Sequence, residues 1–579
     1  VVPHYDPPDQ PFRMAPMPQS TRSIVVPLAT NLHLAFDTAL LRTHTVWSGK
    51  GLALLGPQYG LPKSPFISTN DGTVLWTMPP VFPWSVGKLP EKDELTCPKE
   101  AARFKISGSG TGVSIDYNLP GFGTVNETIG PATNLTHGVL RIVSVGRAKE
   151  DVWFLAHAER GHVEMVSKSP SIAIIDRDSD VLLVRLFENR EVELQTIEKQ
   201  VDYEVESVTE TGTEKGNLKR RITGTEARVY VRVKPSTTGM AVFWLGTEVL
   251  PSKAAAFAEL SAHPEKYKRP GPVNLGTPVW PIQTSNLVKL TSSPALRPSQ
   301  VSNASFHSEA FPLPKEANLH ITGMDFLPNG DLVVCTWTGE VWIIAGAQGA
   351  TANAKYRRFA RGLCEPMGVA VRDGKIYVGT KQGLYRLTDD DGNGEADLFE
   401  CISQDWDYTG SYNAFVYGPV FDNAGNFILA NAGHSGRWDA RYMGWALRIS
   451  PDGKKLDTIC SGLREPNGIG TFGPDRDVFV TENQGQWMAA CKLNHVTPGK
   501  FYGHPSAWPA KEEEYGKHTR FDPPAVWFPY KLARSTTGFA EITDDRFGPF
   551  KGQLMVGDFQ NAIVTRVQLE KVNGEYQGA

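Results

Sequence analysis

Asp389-Asp390-Asp391-Gly392-Asn393-Gly394-Glu395-Ala396-Asp397-Leu398-Phe399-Glu400 sets oxygen-bearing side chains at alternate positions and fits the calcium-loop pattern D-x-[DN]-x-[DN]-G-x5-E throughout. Hard oxygen donors in this spacing curl a chain around a hard cation, and Gly394 allows the sharp turn. The candidate ligands are Asp389, Asp391, Asn393, Glu395, Asp397 and Glu400. The preceding Lys375–Leu387 alternates like paired strands, so a calcium loop between strands is expected, without the entering helix of an EF-hand. The competing reading is a solvated acidic turn. A metal here would be structural, because its carboxylates leave little room for a substrate.

A second set of polar residues falls in loops that follow strand-like segments: Arg437, Arg441, Glu482, Asn483, Gln484, Trp487, Arg534, Asp558 and Gln560. Glu482 near Arg464 is either a base held by a cation or an ion pair between structural units. Trp487 can stack on a sugar ring or pack under its loop, and Arg437 with Arg441 can bind an acidic sugar or stay solvated. No Ser/His/Asp arrangement, P-loop, G-x-G-x-x-G or H-E-x-x-H element is present, which argues against hydrolase, kinase and Rossmann chemistry.

Loops converge on one polar site only if a scaffold repeats around an axis, and the sequence supplies such a repeat. Units of an apolar strand, a tight Asx/Gly turn and a second apolar strand begin at Ile321, Glu365, Tyr417 and Glu465. A degenerate fifth spans Thr537 to Gly557. This spacing is that of propeller blades, and six blades are expected, with a segment beyond Ala579 closing the ring. Upstream, Val113–Tyr117, Gly138–Val145, Val152–Ala156, Val181–Leu186 and Ala227–Val233 alternate as antiparallel strands of a β-sandwich. One helix is expected at Lys253–Ala262, capped by Ser252 and stopped by Pro264. The expected organisation is an extended arm (1–25), a β-rich sandwich-like domain (26–280), a Ser/Pro-rich linker (281–316) and the propeller (317–579).

Composition bounds the function. The 579 residues exceed a single core, and 40% hydrophobic with 21% charged residues describes a globular chain. A net charge of −4 gives no electrostatic reason for a nucleic-acid partner, and no apolar run reaches the length of a membrane span. Six dispersed cysteines form no C-x-x-C; Cys335, Cys364 and Cys460 are expected as small buried hydrophobes.

Gly462-Leu-Arg-Glu-Pro-Asn-Gly468, Asn494-His-Val-Thr-Pro-Gly-Lys-Phe-Tyr-Gly-His-Pro505 and Gly444-Trp-Ala-Leu-Arg-Ile-Ser-Pro-Asp-Gly453 resemble the soluble quinoprotein glucose/sorbosone dehydrogenase propellers. With Leu34–Leu41, Trp47–Gly51 and Trp337-Thr-Gly-Glu-Val-Trp342, the chain resembles secreted planctomycete and verrucomicrobial proteins. These join a β-rich N-terminal domain to such a propeller, often followed by a cytochrome c domain. The resemblance implies a periplasmic or extracellular protein that oxidises a carbohydrate with pyrroloquinoline quinone and passes electrons to a cytochrome. It implies Arg464 against the quinone; Asn483, Gln484 and Arg534, from the loops that follow blade strands, are the candidates for further cofactor contacts. From the same loops, Arg437, Arg441, Trp487 and Asp558 are the candidate substrate contacts. The base histidine of that family is missing: Ser411–Pro419 carries Asn413 in its place, and an amide accepts no proton at neutral pH. His434 is the nearest replacement, with Arg464 and Glu482 completing the catalytic set. The alternatives are a lyase or hydrolase acting on an acidic sugar, and a non-catalytic glycan- or protein-binding module.

Overall fold

The computed structural model describes residues 13–54, 68–109, 112–121, 123–132, 138–161, 163–187, 191–211, 214–236, 239–262, 288–289, 319–348, 354–408, 413–433, 440–485, 489–504 and 521–579, with 311, 313–314 and 317. The fold is all-β, as its alternating patterns require. Among the described residues no helix is long and apolar enough to cross a membrane. The expected helix forms at Lys253–Ala262, and Ser252 Oγ caps it by accepting the Ala255 amide at 3.1 Å.

Five antiparallel sheets follow one another along the C-terminal half. Blade 1 comprises Ile321–Phe326, Leu332–Thr336, Val341–Ala345 and Lys355–Ala360, with Val288–Lys289 added at its edge. Blade 2 comprises Gly368–Arg372, Lys375–Gly379, Leu384–Thr388 and Leu398–Ser403, and blade 3 Val416–Phe421, Phe427–Asn431, Ala446–Ile449 and Leu456–Cys460. Blade 4 is built from Pro466–Phe472, Asp477–Glu482, Cys491–His495 and Val526–Phe528; blade 5 from Thr536–Glu541, Leu554–Asp558 and Ile563–Val567. The first strand of each blade packs on the first strand of the next, which is propeller packing.

A glycine in each first strand permits that approach. A Cβ at Gly323 would stand 2.7 Å from the Gly368 Cα, and one at Gly368 would overlap the Gly418 carbonyl oxygen. A Cβ at Gly468 would stand 2.8 Å from the Gly538 Cα. Side chains cannot fit where two backbones run this close.

The N-terminal half holds a five-stranded meander, a four-stranded sheet with a hairpin of two twenty-residue strands (Val192–Thr211 and Glu214–Val233), and eight strands of a larger sheet. Each upstream alternating segment named above lies in a strand. The stretch expected as an extended arm is instead partly sheet. Arg13–Met17 and Ser20–Ala29 are the first two strands of the meander, and Met14, Ala15 and Met17 are buried. The expected linker lies almost wholly outside the described residues.

The two halves share one sheet. Leu398, Phe399 and Glu400 of blade 2 pair with Ser107, Ile106 and Lys105, joining the larger N-terminal sheet to the blade in twelve strands. Beside this seam the buried Arg22 donates from Nε to the Gln382 carbonyl at 2.9 Å and from Nη2 to the Trp406 carbonyl. Gln382 Nε2 donates to the Thr21 carbonyl at 2.9 Å, and Gln404 Nε2 to the Thr38 carbonyl at 3.0 Å. One apolar core runs through both halves, so blade 2 is anchored over a wide front.

Cys335, Cys364, Cys401, Cys460 and Cys491 are buried free thiols. Burial pushes Cys335, Cys364 and Cys460 up to about 12, the behaviour of packing groups rather than nucleophiles.

Candidate functional site

In a propeller the start of each blade's first strand and the end of its second lie at the same end of the axis. Blade 2 contributes Glu365 before its first strand and Lys381 after its second. Lys381, shielded from solvent, has its ammonium 2.7 Å from Glu365 Oε2 and 4.3 Å from the centre of the Phe415 ring. Trp337 of blade 1 donates its indole N–H to Glu365 Oε1 at 3.0 Å and meets Phe415 edge-on at 6.3 Å. Three blades therefore meet around one desolvated cation, with the Phe415 ring stabilising its charge.

Blade 4 contributes Arg464 and Glu465 before its first strand and Glu482, Asn483 and Gln484 at the end of its second. Arg464 Nη1 donates to the Gln484 carbonyl at 3.1 Å. Its guanidinium lies where a side chain at Gly485 would stand, with the Cζ overlapping that Cβ position, so residue 485 must be glycine for the arginine to lie flat. Arg464 Nε is buried with no hydrogen-bond partner among the described residues. The Asn483 amide donates to the Glu465 carbonyl at 3.1 Å, and the Gly433 amide to the Arg464 carbonyl at 2.9 Å. Blade 3 is thereby tied to this corner by the residue that precedes His434.

Glu465 keeps partial contact with solvent, yet it is surrounded closely enough that burial pushes its carboxyl up to about 8. Arg464 and Lys381 oppose the rise, while Glu482 adds to it. Lys381 belongs to blade 2 and Glu465 to blade 4, so charges from non-adjacent blades act on one another. A carboxyl with this pKa exchanges protons near neutral pH.

Glu482 does not face Arg464 with its charge. One carboxylate oxygen accepts the Arg464 backbone amide; the other lies 3.0 Å from Lys492 Nζ and accepts Asn494 Nδ2 at 2.7 Å. Glu482 and Lys492 are each 1% exposed, so this is an internal ion pair of blade 4. Asp558 accepts the amides of Arg534 (2.8 Å), Ser535 (2.6 Å) and Asn561 (2.8 Å), fixing the turn that enters blade 5. Arg534 lies over the Tyr530 ring, 4.5 Å from its centre. Arg441 is exposed and pairs with Asp407 at 2.9 Å. His434, Arg437 and Trp487 lie outside the described residues.

Sequence reasoning passed over Glu465, Lys381 and Glu365 as site residues. The signal was present: Glu-Pro recurs at 365–366 and 465–466, each time opening a blade's first strand.

The acidic loop joins Leu384–Thr388 to Leu398–Ser403, between strands as expected. Gly394 donates its amide to Asp389 Oδ2 at 2.8 Å, Asn393 to Asp391 Oδ1 at 3.0 Å, and Asp390 and Asp391 to Asp397 at 2.9 and 3.2 Å. Asp389 Oδ1 is buried and has no hydrogen-bond partner among the described residues. The two glutamates are engaged outward: Glu395 with Arg361 at 3.4 Å, and Glu400 with Arg386 and, at 3.8 Å, Lys105. Among the described residues no three His, Cys, Asp or Glu side chains stand assembled as a metal cluster.

The chain is thus an all-β protein, a sheet-rich N-terminal half fused to a propeller. No protein-family model matches it. A protein of Borreliella burgdorferi described only as uncharacterized is 22% identical over 223 residues, 34% of this chain and 58% of that protein. Among solved structures, a putative oxidoreductase (glucose dehydrogenase) of Thermus thermophilus aligns with 45% of this chain and 83% of its own, at 16% identity and a TM-score of 0.35. The soluble aldose sugar dehydrogenase of Escherichia coli aligns over 45% and 85%, at 15% and 0.33. The pyranose dehydrogenase PQQ domain of Coprinopsis cinerea aligns over 45% and 78%, at 11% and 0.32.

Proposed function

We propose that this protein is a carbohydrate oxidoreductase whose reaction centre is the propeller mouth between Lys381 and Arg464. The observation that carries the reading is Glu465: a carboxyl pushed to about 8 beside an arginine, within the field of a buried lysine from another blade. Oxidation of a sugar hydroxyl needs a group that takes the O–H proton and an acceptor for the hydride. Glu465 takes the proton once it is ionised. Arg464 holds anionic oxygen at the same place, and its Nε, without a hydrogen-bond partner among the described residues, fits an anionic planar cofactor.

Pyrroloquinoline quinone, when bound, supplies the two-electron acceptor. Arg464, Asn483, Gln484 and Arg534 are the residues that would hold it. His434, next to Gly433, is the second candidate for proton acceptor; Arg437, Arg441, Trp487 and Asp558 remain candidate substrate contacts. A periplasmic or extracellular location and a cytochrome as electron acceptor complete the reading.

The acidic loop is proposed as a structural Ca2+ site. Asp389, Asp391, Asn393 and Asp397, with the Glu395 carbonyl, are its donors, because the side chains of Glu395 and Glu400 are committed elsewhere.

The test is dye-linked oxidation of a panel of aldoses by the full chain, supplied with the quinone and Ca2+. Cofactor-dependent turnover that collapses in Glu465→Gln and survives in His434→Asn supports the assignment. The reverse pattern moves the base to His434. No turnover on any aldose defeats the oxidoreductase reading.

A further inference from the structure

Two adjoining hollows of about 680 and 730 Å3 open on the N-terminal half, away from the propeller mouth. They lie where three sheets meet. The walls come from Val74–Thr77 of the meander, from Ala158–Gly161 of the four-stranded sheet and from the Arg177–Asp180 turn of the large sheet. Both volumes fall in the range of small-molecule sites. Tyr203 and Arg177 line both.

Tyr203 pairs across the long hairpin with Ile222, so Gly224 is its diagonal neighbour on the same face. A Cβ at Gly224 would stand 3.0 Å from the Tyr203 hydroxyl and 3.1 Å from its ring carbon. These distances, with 3.5 Å to the carbon that bears the hydroxyl, put the Gly224 Cβ position close to the ring plane, so the phenol meets this glycine edge-on and a side chain there would displace it. Gly161 of the neighbouring strand stands below the same hydroxyl, at 3.9 Å from its Cβ position. A tyrosine ring fixed at its edge and lining both hollows supplies contact area at little entropic cost.

Hydrogen-bonding groups surround the plane. Arg177 is locked: it donates to the Leu75 carbonyl at 2.8 Å, to Asp180 at 2.5 Å and to Glu159 at 3.3 Å. Gln200 Nε2 donates to Thr225 Oγ1 at 3.0 Å on an exposed edge. The acidic wall outweighs its bases. Arg177 is consumed by Asp180 and Glu159, Arg160 by Glu226, and Lys253 is shared between Asp176 and Glu164, which leaves the exposed Asp178 without an ion pair among the described residues.

From this geometry we infer that the hollow is a binding site for neutral glycan chains, with Tyr203 as the stacking platform and Gln200 as a hydrogen-bonding contact. A pyranose ring offers an apolar C–H face to the phenol and hydroxyls to the planar polar groups around it. The negative wall excludes uronates and sulfated sugars by like-charge repulsion. The inference does not rest on the oxidoreductase reading, and it is tested without cofactor.

The test is calorimetric titration of the full chain with cellohexaose, xylohexaose, mannohexaose and polygalacturonate. Binding of at least one neutral hexaose is expected, weakened about tenfold by Tyr203→Ala and about threefold by Gln200→Ala, and kept within about twofold by Tyr203→Phe. Gln200 is exposed, so its substitution reads the ligand contact without disturbing the sheet. The inference is overturned if no neutral hexaose binds, if binding is indifferent to both Tyr203→Ala and Gln200→Ala, or if polygalacturonate binds in a Tyr203-dependent way.

Discussion

Lys381, at the end of a strand in blade 2, acts on the carboxyl of Glu465, at the entry to blade 4, although a complete blade separates them along the chain. The lysine is buried and salt-bridged to Glu365, so its charge cannot be screened by moving into water. Blade geometry thus converts two unremarkable residues into an interacting pair, and the consequences can be measured.

Glu465 must be ionised to accept a proton, so kcat/KM for sugar oxidation should rise with pH through about 8. Glu465→Gln should remove that limb together with most of the activity, a loss of about 10²-fold or more for a general base. Lys381→Met withdraws a positive charge that favours the carboxylate, so the limb should move to higher pH. A limb unmoved by Lys381→Met would sever the link between the two residues.

The same group affects stability, with a definite sign. The folded-state pKa of Glu465 is raised above that of an exposed glutamate, so between about 4.3 and about 8 the folded state holds a proton that the unfolded state has released. Stability should therefore fall as pH rises through this window, by as much as one proton's worth of slope, and then level off above it. Denaturant unfolding of wild type and Glu465→Gln at several pH values checks this. The difference in stability between them should change across the window and be flat beyond it.

Glu482 is expected to answer differently. Its carboxylate neutralises Lys492 inside blade 4, and both groups are buried. Glu482→Gln leaves an uncompensated ammonium and should destabilise the protein by about 3–5 kcal/mol. A double variant, Glu482→Gln with Lys492→Met, should recover part of that loss. If Glu482 were instead the proton acceptor, the single variant would keep its unfolding midpoint and lose turnover.

The propeller was legible because its blades repeat a local pattern: each apolar–turn–apolar unit is one hairpin, and hairpins are encoded by neighbours in sequence. The helix at Lys253–Ala262 was legible for the same reason, from Ser252 at its start. The strands at Arg13–Met17 and Ser20–Ala29 were not, because the first 25 residues are rich in Pro and Met and show no alternating period. The first of these strands is at a sheet edge, where a missing amide donor is tolerated. The pairing of Leu398–Glu400 with Lys105–Ser107 joins segments almost three hundred residues apart, and no local signal encodes it. Glu482 drew attention as an acid near an arginine, and packing gave it a different partner. Glu465 escaped notice because its raised pKa comes from burial in the folded chain, with Glu482 adding to it, and neither is written in its local sequence.

Calcium should stabilise the fold through the acidic loop. Asp389 has one oxygen on the Gly394 amide and one buried without a partner among the described residues, a residue ready for a cation. A site that binds only in the folded state adds about 2.7 kcal/mol at a hundred times its Kd. Thermal unfolding in Ca2+ against chelator should show a rise that Asp389→Ala abolishes. Glu400→Gln should leave the rise intact, because its carboxylate serves Arg386 and Lys105. A rise abolished by Glu400→Gln would restore that residue to the ligand set.

The glycines that let neighbouring blades approach give the last prediction, and it is asymmetric. A methyl at Gly468 would meet the Thr537 carbonyl oxygen at 2.6 Å, Thr481 Oγ1 at 2.7 Å and the Gly538 Cα at 2.8 Å. At Gly538, across the same contact, it would meet nothing within 4 Å. Gly468→Ala must push blades 4 and 5 apart and should cost about 1–3 kcal/mol, as overpacking does. Gly538→Ala adds only a strand residue of lower backbone freedom and should shift stability by no more than about 1 kcal/mol, in the stabilising direction. Equal effects of the two substitutions in denaturant unfolding would show that the two first strands do not meet through the face of Gly468.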